Sequence, residues 1–192
     1  KIYSNSVLLG DQGPNGWGIT YSAEFHMTND SHLFPPVDWW KERGYSPDEY
    51  GRWHPPKKET SELKYKGRII GSPSDLVFPL YQGRMIHQFD YSYQCYIDGS
   101  GNRTNWEMSD IVNKEIRSQY LVSEMVFSKY NSAGFYRIAF RDMARTTDFR
   151  TMICSILPKY PCGNTVPFFI IKDNFNFQRP LCLVGVLNSF VF

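Results

Sequence analysis

Apolar and polar side chains alternate in two runs of the segment YRIAFRDMARTTDFRTMICSILPKYPCGNTVPFF (136–169), one on either side of Ala144-Arg145-Thr146-Thr147-Asp148. Alternation of period two places successive side chains on opposite faces of an extended chain. The spacing therefore predicts a β-hairpin, with a strand over 135–142, a bend over 143–149 and a return strand over 150–157. Residues 1–35 read as short strands broken by Gly, Asn and Pro turns. Asn29, Asp30 and Ser31 are turn or cap residues ahead of His32-Leu33-Phe34. The segment 38–43 predicts a short helix closed by Gly44, whose freedom at positive φ suits a helix end. From Tyr45 to Gly67 the chain turns polar and rich in Pro and Lys, the pattern of an exposed loop. Ile69 to Tyr96 returns to strands and turns, and Asp98 to Asn102 is another turn. Met108, Ile111, Val112 and Ile116 fall on one stripe at helical spacing. Tyr120 to Phe127 and the run Pro-Phe-Phe-Ile-Ile (167–171) read as strands, and Pro180 to Phe192 as the start of a buried helix, with a strand as the alternative.

Composition narrows the class. At 192 residues the chain fits one domain or one lobe of a larger protein. Aromatic residues make up 17% and charged residues 21%, which suits an ordered β-rich protein and argues against disorder. The net charge of +2 excludes a histone-like binder, so positive charge serving nucleic acid has to be gathered on one face. Cys95, Cys154, Cys162 and Cys182 have no C-x-x-C spacing. They read as reduced thiols in a cytoplasmic protein, without a metal site. No apolar run reaches the length of a membrane span, and no signal peptide is expected.

Arg137, Arg141, Arg145 and Arg150 follow one another at intervals of four, four and five across the hairpin. Arg137 and Arg141 share a strand face, while Arg145, Thr146 and Thr147 occupy the tip and Arg150 and Thr151 open the return strand. Guanidinium forks and small hydroxyls match phosphate oxygens and base edges, so this is a candidate DNA-reading surface. Arg145, Thr147 and Arg150 are expected nearest the DNA, and Arg141 in a positioning or structural role. Solvated surface ion pairs with Asp142 and Asp148 are the competing account. Arg84, His87 and Gln88 form a second candidate group within PLYQGRMIHQFDYSY (79–93), where Met85 or Ile86 together with Phe89 are expected in the core. A structural histidine and a turn aspartate, Asp90, explain that block equally well. Lys57, Lys58, Lys64 and Lys66 could clamp a backbone, and Trp39, Trp40, Tyr50 and Trp53 could stack on bases or fill a core.

Four blocks in order, MTNDSHLF (27–34), PLYQGRMIHQFDYSY (79–93), RIAFRDMARTTDFRTMICSILP (137–158) with GNTVPFF (163–169), and LVGVLNSFVF (183–192), carry a resemblance. They resemble the C-terminal target-recognition region of large N6-adenine DNA methyltransferases, of the type IIG and type ISP restriction–modification and BREX-type families. The chain departs from that pattern at Gln82, Arg84 and Tyr91-Ser92, where the family has Glu, Lys and His-Arg. The resemblance implies an α+β fold, with a curved, mainly antiparallel sheet, loops and a few short helices. It implies a single target-recognition domain over 1–192, excised from a longer polypeptide. Its partners would be double-stranded DNA and the parent's own methyltransferase domain, and its setting phage defence. S-adenosylmethionine, and any endonuclease activity, would belong to the parent. The chain itself has neither a glycine-rich cofactor turn nor an Asn-Pro-Pro-aromatic motif, so no catalysis is expected of it. Phe34-Pro35-Pro36-Val37 and His54-Pro55-Pro56-Lys57 lack the amide and the aromatic, and Gly99-Ser100-Gly101 reads as a turn. A single-stranded RNA or DNA binder, relying on aromatic stacking, is the second reading. A secreted carbohydrate-binding domain, suggested by aromatic content and two glycosylation sequons, is the third.

Overall fold

The computed structural model describes residues 6–57, 61–101, 103–130, 135–143, 152–171 and 178–189. Their framework is mainly antiparallel strands with three short helices, an α+β arrangement. Where one curved sheet was expected, the strands divide among two four-stranded sheets and two separate hairpins.

The first sheet holds the arginine-bearing hairpin. Strand β10 (Tyr136–Phe140) pairs antiparallel with β11 (Cys154–Pro158), with Ile138 opposite Ile156. On its other side β10 meets β12 (Phe168–Ile170), which in turn pairs with β1 (Thr20–Ser22). The predicted hairpin is therefore present. Its strands are shorter than expected, and residues 144–151 lie outside the described residues.

In β10, Arg137, Ile138 and Ala139 are all buried, so the hairpin has a covered face on each side. Ile138 looks toward α3 (Gln178–Leu187), whose Leu183, Val184 and Leu187 form a cluster with it and with Cys154. The opposite face meets a second cluster of Tyr81, Met85, Ile86, Leu157 and Phe168, to which Ala139 belongs. Pro180, Leu183, Val184 and Leu187 recur at helical spacing on the buried side of α3. The terminal apolar run thus forms the expected helix.

The second sheet runs β2 (Ser46–Pro47), β3 (Trp53–His54), β6 (Val77–Pro79), β9 (Leu121–Ser123). It packs with α1 (Val37–Lys41) over Phe25, Phe34, Trp40, Ile70 and Leu80. Helix α1 stops as expected, with Gly44 at φ +78°. Tyr120 to Phe127 is only half strand. After β9, Ser123 accepts a hydrogen bond from the Val126 amide and caps α2 (Glu124–Phe127).

Two expectations fail. The polar stretch from Tyr45 to Gly67 is built rather than loose: it carries β2, β3 and β4 (Leu63–Tyr65), which pairs with β5 (Arg68–Gly71). Lys66 and Gly67, at φ +47° and +78°, make the tight corner between those strands, the left-handed pair that a two-residue hairpin demands. The stripe from Met108 to Ile116 is not helical. Met108 ends β8 (Arg103–Met108), which pairs with β7 (Gln94–Ser100). The Asp110 carboxylate then accepts the amides of Val112 and Asn113 at 2.6 and 2.8 Å. That local bond competes with a helix and leaves Ile111 and Val112 at 88% and 87% exposure.

Candidate nucleic-acid interface

The strand face that was to present Arg137 and Arg141 outward points inward. Residues 137, 139 and 141 share one side of an extended chain, and Ala139 on that side lies in the second cluster. Arg137 is 3% exposed. Its two terminal nitrogens donate to the two carboxylate oxygens of Glu24 at 2.5 and 2.6 Å, and its guanidinium lies 4.1 Å from the centre of the Phe168 ring. Burial alone would pull the guanidinium down, yet the hydrogen bonds to Glu24 hold it above its ordinary value. Glu24 also accepts the Cys162 amide at 3.1 Å. Arg137 is thus a structural residue that ties the hairpin to the segment after β1, and DNA cannot reach it.

Arg141 donates from Nε and Nη2 to the carbonyl of Ile86 at 2.9 and 2.6 Å. This contact joins the two sequence blocks that carry the candidate residues, because Ile86 directly precedes His87. The amide of Gly83 donates to Thr165 Oγ1 and that of Asp142 to the Thr165 carbonyl, which fastens the same junction from the other side. Arg84, on a short 3-10 turn over Gly83–Met85, is exposed, and its guanidinium lies 5.9 Å from the Trp106 ring centre. The His87 ring packs at 4.3 Å on Tyr93, and Arg141 approaches the same tyrosine at 5.8 Å. Gln88 donates through Nε2 to the carbonyl of Asn188 at 3.3 Å, so its amide holds the fold. Arg145, Thr146, Thr147, Arg150 and Thr151 lie outside the described residues.

Phe89 departs from expectation. Met85 and Ile86 are both buried, but Phe89 is 66% exposed and its backbone sits at φ +57°. His87 and Asp90 exchange both backbone hydrogen bonds, at 2.9 and 3.0 Å, so Gln88 and Phe89 form the corner of a tight turn. A bulky side chain in this left-handed region costs on the order of 1–3 kcal/mol. The alternating pattern through Met85 and His87 suggested a core position. The chain reverses at this point, and Asp90 was the only local signal of that.

A cleft of about 380 Å³ opens beside this turn, lined by Tyr50, Tyr91, Tyr136 and Tyr160 together with Glu49 and Lys114. Lys114 binds Asp90 at 2.7 Å and the Ser92 carbonyl at 2.9 Å, and Tyr160 donates to the Tyr50 carbonyl. These tyrosines come from segments far apart in sequence, and no local motif links them. Trp40 and Trp53 are buried in the first core and Trp39 is half-buried beneath Arg43, so they build the interior rather than a stacking platform.

Other chemistry finds no support among the described residues. Gly99 does not cradle a ligand. It lies in β7 opposite Thr104 at φ +94°, where an added Cβ would collide with the Arg103 carbonyl, so this glycine is crowded by its own hairpin and opens no cradle for S-adenosylmethionine. Phe34 and Val37 are core residues, and the Pro35 carbonyl accepts the Leu121 amide, which closes that Pro-Pro step to a base. Among the described residues no group of three or more His, Cys, Asp or Glu could hold a metal ion, and no helix is long and apolar enough to cross a membrane. Cys95, Cys154 and Cys162 are buried and Cys182 is exposed, all as free thiols. Burial pushes Cys154 and Cys162 up to about 12, so they stay protonated and unreactive. Known protein families, curated proteins and solved structures yield no match to this chain.

Proposed function

We propose that this chain is a sequence-specific duplex-DNA recognition domain of an N6-adenine DNA methyltransferase, of the restriction–modification or phage-defence kind. Its work is to hold a target site for a catalytic domain carried elsewhere in the parent polypeptide. That parent supplies S-adenosylmethionine and acts in the cytoplasm. The observation that carries the reading is the Arg141–Ile86 junction. It sets exposed Arg84 and the His87–Tyr93 stack at the end of the hairpin from which the segment with Arg145, Thr146, Thr147, Arg150 and Thr151 departs. An exposed cation and a histidine–tyrosine stack on a rigid scaffold suit phosphate positioning and base-edge readout. With Arg137 and Gln88 committed to the fold, the reading rests on Arg84, His87 and the residues between Met143 and Met152.

Selection from a randomised duplex pool, with a single-stranded pool as competitor, tests it. Enrichment of one duplex motif, lost or relaxed by Arg145→Ala or Arg150→Ala, is the expected result. Failure to enrich any duplex motif overturns the proposal.

The tyrosine-lined cleft favours a second reading, a single-strand binder in which bases stack on aromatic rings. In that case the single-stranded pool is preferred, and changes at Tyr50 or Tyr91 cost more binding than changes at the arginines.

A further inference from the structure

Phe89 combines three features that seldom coincide: a large apolar ring, high exposure and a left-handed backbone. Strain of this kind persists only where the surroundings over-determine it, and here they do. The Phe89 amide donates to the Cys154 carbonyl at 3.1 Å at the start of β11. Asn188, just past α3, holds that same carbonyl through Nδ2 at 2.8 Å and accepts the Cys154 amide at 3.0 Å. Gln88 is tied to the Asn188 carbonyl at 3.3 Å. On the other flank the Asp90 carboxylate accepts the Ser92 amide at 2.9 Å and Lys114 at 2.7 Å, and the His87 ring is packed on Tyr93. The neighbours of Phe89 are thus committed to the scaffold, while its ring points into solvent at 66% exposure. Burying this ring in the core would have been the ordinary way to stabilise the chain. The fold instead spends a network of hydrogen bonds to hold it out, three residues from Ile86, whose carbonyl Arg141 holds.

We propose that Phe89 is a rigid wedge that enters the base stack of duplex DNA and unstacks a single step. This deepens the duplex-recognition reading and rests on it. Apolar side chains presented from a fixed turn act in this way on nucleic acids, partly separating a base step while nearby cations hold the phosphates. Arg84, five residues before Phe89 in the chain, is exposed and is the cation offered to a phosphate beside the opened step, while Arg141 holds the Ile86 carbonyl.

The test uses the chain with a short duplex carrying the selected motif, in which 2-aminopurine replaces one base at a time. Binding is followed by anisotropy and unstacking by the rise in 2-aminopurine fluorescence. Phe89→Gly is a safe variant, because glycine prefers the backbone found here. The wild type is expected to raise fluorescence at one position. Phe89→Gly should abolish that rise while weakening binding by only about tenfold, and Phe89→Trp should restore it. A rise that survives in Phe89→Gly overturns the wedge, as does binding by the wild type without any rise. Absence of duplex binding by the wild type overturns the recognition reading itself, and the wedge with it.

Discussion

Arg137 and Glu24 form a bidentate pair almost wholly withdrawn from water, and removing either partner strands a charge in the interior. Arg137→Ala should therefore cost about 3–5 kcal/mol of stability, read as a lower urea midpoint, whereas the double change to Arg137→Met and Glu24→Met should cost far less. Phe89→Gly acts in the opposite direction. It relieves the left-handed backbone and should raise stability by about 1 kcal/mol, seen as a higher Tm, even as any stacking function is lost. Asp48 gives the pH response. Burial alone would raise its carboxyl, but hydrogen bonds from His54, Arg52 and two backbone amides outweigh this and hold it at about 2, below an ordinary 3.8. The folded value lies below that of an unfolded chain, so the contribution is complete above about pH 4 and drains away as pH falls toward 2. Near neutrality it amounts to about 2 kcal/mol. Urea midpoints measured from pH 5 to pH 2 should fall less steeply in Asp48→Asn than in the wild type.

At the scale of elements, the parts legible in the sequence were those fixed by short-range pattern. The hairpin of β10 and β11 followed from alternation on both sides of a polar bend, α1 from its closing glycine, and α3 from an apolar stripe. What stayed hidden depended on neighbours remote in sequence. Alternation put Arg137 and Arg141 on one face but could not say which face, and the partner that turned it inward, Glu24, lies over a hundred residues away. The stripe from Met108 to Ile116 had helical spacing, yet the Asp110 carboxylate took up the amides that a helix would have used. The polar stretch after Tyr45 looked loose, yet Asp48 binds Arg52 and His54 near its start and β4 pairs with β5 at its end. Asn188 is the clearest element-scale dependency, since its side chain bonds both backbone groups of Cys154. Asn188→Ala should cost about 2–3 kcal/mol and speed hydrogen exchange at the Cys154 and Phe89 amides, whereas exchange within the hairpin of β7 and β8 should be unchanged.

Over the whole molecule, charge is nearly balanced at +2, and the buried Arg137 is cancelled by its carboxylate. With so small a net charge, the salt dependence of DNA binding should be shallow. If Arg84 contacts a phosphate, Arg84→Ala should lower the slope of log K against log salt by about one and weaken all duplex sequences alike. Changes at Arg145 or Arg150 should alter which motif is preferred. A slope unaffected by Arg84→Ala would remove that residue from the interface.

The turn at Gln88 and Phe89 is anchored through Cys154 to Asn188, so its shape is stored in three stretches of chain separated by tens of residues. A chimera that exchanged only 79–93, or only 154–158, with a homologous chain would carry a turn without its fastening or a fastening without its turn. Boundaries for any transplant should be drawn by these hydrogen bonds: the unit that can be moved intact is the turn, the start of β11 and the end of α3 together.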